Sequence, residues 1–183
     1  QLSQSPNARP SVHGNARETD QKDQYLRASE LYSQHRLTGA RKILDPLSAS
    51  HPSADLFMLL ADVARDQSDY AVAMKSLKTA AKLDPSREDA YLEFSELCSE
   101  HANDQLALDS AEVGLNNIPA SYRLMVQKAA ALDKLGRTGE AETVLREAAQ
   151  KQTDNSVAML SLGCVLAHEG RLKEAGEGQM GRA

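Results

Sequence analysis

Counting from Ala73 in steps of 34 residues reaches Ala107, Ala141 and Ala175. The same step takes Pro85 to Pro119, Gly136 to Gly170, and Ala61 to Ser95, Ala129 and Gly163. Going backward, a step of 33 takes Ala73 to Ala40 and Pro85 to Pro52. A small residue returning at a fixed interval means that one close approach between chain segments is built repeatedly. Fixed periods between about 20 and 50 residues mark repeat architectures, in which each unit rests on its neighbours. A 183-residue chain with this period is expected to stack small units rather than close around one core.

The stretch "AVAMKSLKTAAKLDP", Ala71 to Pro85, shows what one segment looks like. Ala73, Leu77, Ala80 and Leu83 are spaced by three and four, as one side of a helix requires, and Pro85 stops it. Four two-helix units, 21–53, 54–87, 88–121 and 122–155, and a partial fifth, 156–175, follow from the period. Gly136 and Gly170 fall just after first helices, where a left-handed residue is wanted. Ser86 stands three residues before Asp89, a capping-box-like start for the next helix. Pro46 lies inside a second helix and is expected to kink or shorten it. Residues 1–20, polar and holding two prolines, read as a disordered leader, and the glycines of 176–183 read as a flexible tail.

Composition agrees with helices. Hydrophobic residues make up 41%, aromatics only 4%, and Trp is absent, which suits an Ala, Leu and Met core better than a sheet sandwich. No run approaches the roughly 18 apolar residues of a membrane span. A net charge of −5 without basic clusters argues against nucleic acid. Cys98 and Cys164 stand outside any zinc-like spacing and read as buried or free thiols. The five histidines are scattered, and His101 and His168 close first helices as solvated residues. "GEGQMG", Gly176 to Gly181, matches a dinucleotide fingerprint but follows no strand. No nucleophile, base and orienter can be assembled, so neither an enzyme, a cofactor nor a metal site is expected.

Small residues early in each first helix, Gly near its end, Ala in the second helix and Pro at the close resemble the tetratricopeptide repeat. "SLGCVLAHEGRLKEA", Ser161 to Ala175, is the clearest piece, and the resemblance covers about residues 21 to 175. It departs at Lys128, where the family is usually apolar. The resemblance implies antiparallel helix pairs stacked into a right-handed superhelical solenoid with a concave groove. On this reading the alanines are a packing device, and a curved binding surface is the product.

The family's concave positions point to specific residues. The fifth residue of each first helix reads Tyr25, Met58, Leu92, Val126 and Leu160, either an apolar spine of the groove or half-buried packing. Unit 88–121 holds eight acids and no Lys or Arg. Its Glu93, Glu96 and Glu100 form one helical stripe, and Asp62 and Asp66 make a similar pair in the unit before. Asp55, Asp62, Asp66, Asp89, Glu93 and Glu96 would then make an acidic centre, which is either a solvated face or a recognition groove. Relatives that clamp a C-terminal carboxylate use Lys, Asn and Arg where this chain has Met58, Asp62, Leu92 and Glu96, so that ligand is disfavoured.

The expected function is a non-catalytic protein–protein interaction module that binds a basic, amphipathic peptide or helix. Two alternatives stand beside it: an accessory arm of a larger enzyme or secretion assembly, and a self-assembling scaffold. The apolar residues around the last first-helix, Val157 to Glu169, also suggest a weak homodimer through that end.

Overall fold

The computed structural model describes residues 12–151 and 156–168. They form nine helices, and no strand occurs among the described residues. In chain order these are α1 (Val12–Ser33), α2 (Leu37–Ser50), α3 (Ala54–Asp66), α4 (Tyr70–Leu83), α5 (Glu88–Glu100), α6 (Asp104–Asn117), α7 (Tyr122–Lys134), α8 (Thr138–Lys151) and α9 (Ser156–His168). First helices α3, α5, α7 and α9 begin at intervals of 34, so the sequence period is the structural period.

Each second helix packs on its own first helix and on the first helix of the next unit. Ala40, Ala73, Ala107 and Ala141 sit at those junctions with 0% exposure, which explains why the recurring residue is small. Leu77 and Ala80 are buried with them, but Leu83 is exposed. The expected four-residue face therefore ends at Ala80, with Ser76 also buried, and in the last turn Ala81 rather than Leu83 packs against Tyr91 and Leu92.

The four described turns inside a unit use the same backbone device. His35, Ser68, Ala102 and Gly136 take φ of 55, 59, 55 and 75°, at steps of 33, 34 and 34. After each, the chain donates back to a carbonyl five residues earlier: Arg36 to Leu31, Asp69 to Ala64, Asn103 to Cys98 and Arg137 to Leu132. This pairing satisfies helix-end carbonyls and reverses the chain. Glycine is used at one of the four positions, and three non-glycine residues accept the left-handed cost.

Several expectations are corrected. Helix α1 starts at Val12, inside the stretch expected to be a disordered leader. Beyond Pro10 and Gly14 nothing breaks a helix, and a helix anchored by buried Ala28 extends backward at little cost. Pro46 does not shorten α2, which matches α4 and α6 at 14 residues. Lys42 and Pro46 are both exposed, so the carbonyl that loses its partner is on the solvent side. Ser86 does not cap α5. Its hydroxyl donates to Asp84 instead, and Arg87 occupies the cap position without a side-chain bond. The same place in neighbouring units holds Ser53 and Ser121, which do cap through Leu56 N–H and Leu124 N–H. Residues 1–11, Gly170, Ala175 and the 176–183 tail lie outside the described residues.

Candidate functional site

Three neighbouring pairs of first helices also touch, α1 with α3, α5 with α7 and α7 with α9, while between α3 and α5 Arg65 reaches toward Glu93, and the second helices show no comparable contact among the described residues. Closely spaced first helices and spread second helices curve the stack, with the first helices on its inner face. The sequence-predicted site residues lie on those helices.

The apolar row is uneven. Tyr25, Met58 and Val126 are half-buried and Leu160 is 63% exposed, but Leu92 is only 4% exposed. Leu92 belongs to a cluster with Tyr91 and Leu124, so at this position the row is core packing and supplies no anchor to a ligand.

The carboxylates are brought together, and each meets a partner that the sequence reading did not name. Arg87 pairs with Asp55 one unit back. Arg65 reaches Asp62 at 2.9 Å and Glu93 of the next unit at 3.7 Å. Arg123 Nη1 donates to Glu88 at 2.9 Å and to Asp89 at 3.0 Å, and Gln127 Nε2 donates to Glu96 at 3.0 Å. The signal was present. Along the second position of each first helix the sequence reads Asp55, Asp89, Arg123, and Arg65 also falls on a family concave position. Lys128, the apparent departure, reaches across to Glu112 on α6 at 2.9 Å.

Glu93 is the most perturbed of these groups. Burial, reinforced by the charge of Asp62, pushes its carboxyl up to about 7 despite Arg65. Arg65 is already engaged by Asp62, and Glu93 Oε2 is buried with no hydrogen bond, so the distant ion pair leaves desolvation dominant. Burial raises the Asp62 carboxyl as well. On the α1 side, Tyr25 faces Asp55 and Asp62, while Tyr32 faces Asp62 and Asp66, and burial raises both phenols. A continuous strip therefore runs from Tyr25 and Tyr32 across Asp55, Asp62, Asp66 and Arg65 to Glu93, Glu96 and Gln127.

Among the described residues no group of three or more His, Cys, Asp or Glu side chains is arranged to hold a metal ion. Cys98 is buried, and burial pushes its thiol up to about 11, whereas Cys164 is exposed. His101 is exposed at the C-terminal cap of α5, as expected, and its ring also meets Tyr70 edge-on with ring centres 4.0 Å apart. No described helix is long and apolar enough to cross a membrane.

Stacked helix pairs, a curved inner face and no assembled catalytic set define a helical-repeat scaffold. The tetratricopeptide repeat profile matches residues 25–88 and 126–178, and the chain belongs to that family. Unit α5–α6 falls between the two matched segments, yet it keeps the same helix pair. Solved structures agree on the fold. A crystal structure of MamA superposes with a TM-score of 0.71 at 16% identity, covering 86% of each chain. MamA of Desulfovibrio magneticus RS-1, from residue 41 to its end, gives 0.71 at 16% identity, with 86% of this chain and 89% of that one covered. YrrB, described as a tetratricopeptide repeat protein with an unusual peptide-binding site, gives 0.65 at 16% identity over 92% and 88%. No curated protein matches the chain by sequence. Membership makes this chain a protein–protein interaction module of a family whose members are generally non-catalytic scaffolds.

Proposed function

We propose that the inner face binds a basic, amphipathic segment of a protein partner. The observation that carries this is an excess of carboxylates beside exposed apolar area. Asp55, Asp62, Asp66, Asp89, Glu93 and Glu96 outnumber the cations beside them, Arg65, Arg87, Arg123 and Lys22, next to Tyr25, Met58, Val126 and Leu160. Apolar area supplies affinity, and the surplus negative charge supplies steering and register.

The probe is a fluorescein-labelled helical peptide with Leu anchors flanked by Lys, read by anisotropy and stopped flow. Glu93→Lys with Glu96→Lys should slow association and flatten its salt dependence. Met58→Asp should mainly speed dissociation, because Met58 is half-buried at the apolar row whereas Leu92 is core. Lys78→Glu on α4 should change neither rate. Unchanged binding by the double lysine variant at low salt, together with indifference to Met58→Asp, would move the site off the inner face.

A second copy meeting α9 is the second reading, favoured by the 63% exposure of Leu160, although Val165 on the same helix is covered. Sedimentation that shows self-association abolished by Leu160→Lys would support it. Strictly monomeric behaviour at high concentration would exclude it.

A further inference from the structure

The spread of the second helices opens a recess on the outer face. Between α4 and α6 the gap is floored by α5, forming a groove of about 490 Å³. Ala81, Tyr91, Phe94, Leu106 and Val113 make it largely apolar, and Val113 on its α6 rim is 52% exposed. The floor is fixed in place. Tyr91 hydroxyl donates to the Pro85 carbonyl at 3.3 Å and accepts from Asn117 Nδ2 at 3.2 Å, while Ser110 Oγ donates to the Tyr91 carbonyl at 3.2 Å. A recess of roughly 150 Å³ holds a benzene-sized group, so this one takes about three apolar side chains without rearrangement.

Charge selects the occupant. Lys78 and Lys82 line the α4 side, and Lys75 continues the ridge by one further turn. The lysine ammonium groups of this ridge make no ion pair or hydrogen bond with described residues, unlike Arg65, Arg87, Arg123 and Lys128. On the opposite side stands Asp109, whose carboxylate accepts from Gln105 Nε2 at 2.8 Å. The two rims therefore differ in sign, positive along α4 and negative at α6. Lysines three and four residues apart repeat at helical pitch, so a helix lying alongside presents acids at matching intervals over about 10 Å.

We propose that the groove between α4 and α6 docks an amphipathic helix of a partner protein, with its apolar stripe on Phe94, Leu106 and Val113. A line of Asp or Glu faces Lys75, Lys78 and Lys82, and the edge toward Asp109 carries no acid. This partner is opposite in charge to the one assigned to the inner face, so neither reading depends on the other.

The test uses the full chain and a labelled helical peptide of about 18 residues, with Leu at i, i+3, i+4 and i+7 and Glu along one flank. A shuffled peptide of the same composition and phosphatidylserine vesicles are the comparisons. Expected is binding of the amphipathic Glu peptide and not of the shuffled one. Lys78→Glu with Lys82→Glu should weaken it at least about tenfold, and Val113→Asp should weaken it too. Glu93→Lys with Glu96→Lys should leave it unchanged, which separates this groove from the inner face. Lys78, Lys82, Glu96 and Val113 are exposed and Glu93 is half-buried, and circular dichroism of each variant checks that it stays folded. Equal binding of the shuffled peptide, indifference to the Lys78, Lys82 and Val113 variants, or binding confined to the vesicles would each overturn the proposal.

Discussion

Units α3–α4 and α5–α6 share a fold and differ in what holds them. The α3–α4 unit has five acids and five bases, and side-chain caps at both helix starts, Ser53 and Asp69. The α5–α6 unit has eight acids, no Lys or Arg, and no side-chain cap at either start. Its cations come from outside: Arg65 from the unit before, and Arg123, Lys128 and Lys134 from the unit after. Internally it is tied by side chain–backbone bonds, Ser95 Oγ to the Ala107 carbonyl and Ser110 Oγ to the Tyr91 carbonyl. One unit carries cations of its own and borrows only Arg41, which reaches Asp69 from the unit before, and the other depends on its neighbours for every cation.

The contrast is sharpest at one repeat position, which reads Ala80, Gly114 and Ala148. All three are buried. A Cβ at Gly114 would lie 2.9 Å from both Leu124 Cδ1 and Tyr91 Cγ, and the latter is held near the backbone. Gly114→Ala, which restores the residue of the other units, should therefore destabilise by about 1–3 kcal/mol even though alanine favours helix. Gly139→Ala, where nothing lies within 4 Å of the added carbon, should be neutral or stabilising. Equal melting temperatures for these two variants would erase the distinction between the units.

Titration sharpens it further. Glu93 has its folded pKa raised from 4.5 to about 7, so the folded state holds the proton more tightly than the unfolded one. Its contribution is therefore favourable at low pH and is lost as pH rises from about 4.5 through about 7, costing at most about 3 kcal/mol. Asp62 is shifted in the same direction. In Glu93→Gln the loss of stability across that window should shrink, measured by urea denaturation at successive pH values. An unchanged pH profile would mean that the strip carries no strained carboxylate.

Smaller effects come next. Ala102→Gly in the α5–α6 turn should stabilise by up to about 1 kcal/mol, because a left-handed φ of 55° burdens alanine and not glycine. Gly136→Ala in the next turn should cost a similar amount. Smallest is Arg123→Ala. Arg123 is 49% exposed and its partners Glu88 and Asp89 are 28% and 60% exposed, so solvent screening limits the loss to about 0–1 kcal/mol. That loss should vanish in high salt, and one that persists there would point to packing rather than charge.

Sequence reasoning reached the fold because its evidence is periodic. Ala73, Ala107 and Ala141 are junction residues, and their spacing survives any ignorance of contacts. It failed where the third dimension decides. Leu92 shares its helix position with Met58 and Val126, yet Tyr91 and Leu124 bury it. Ser86 had the spacing of a cap and was taken by Asp84, two residues before it. Asp62 pairs with Arg65 on its own helix, but the ionic partners of Asp55, Glu88, Asp89 and Glu93 lie 28 to 35 residues away in sequence, invisible to a reading within one helix but visible along the repeat register. The outer groove had no linear signature, because it is a gap between two helices rather than a property of either.

The left-handed turn residues have a consequence for how such a chain can change over generations. His35, Ser68 and Ala102 sit in the tight turns that join the helices of a pair, and none of them is among the residues of the strip or of the α4–α6 groove. Each is a single substitution to glycine away from a less strained turn. A lineage that altered either binding face at some expense in stability could recover it at these three sites without touching the new contacts. The solenoid thus holds a reserve of compensating mutations, spaced one per repeat, that leaves both surfaces free to diverge toward new partners.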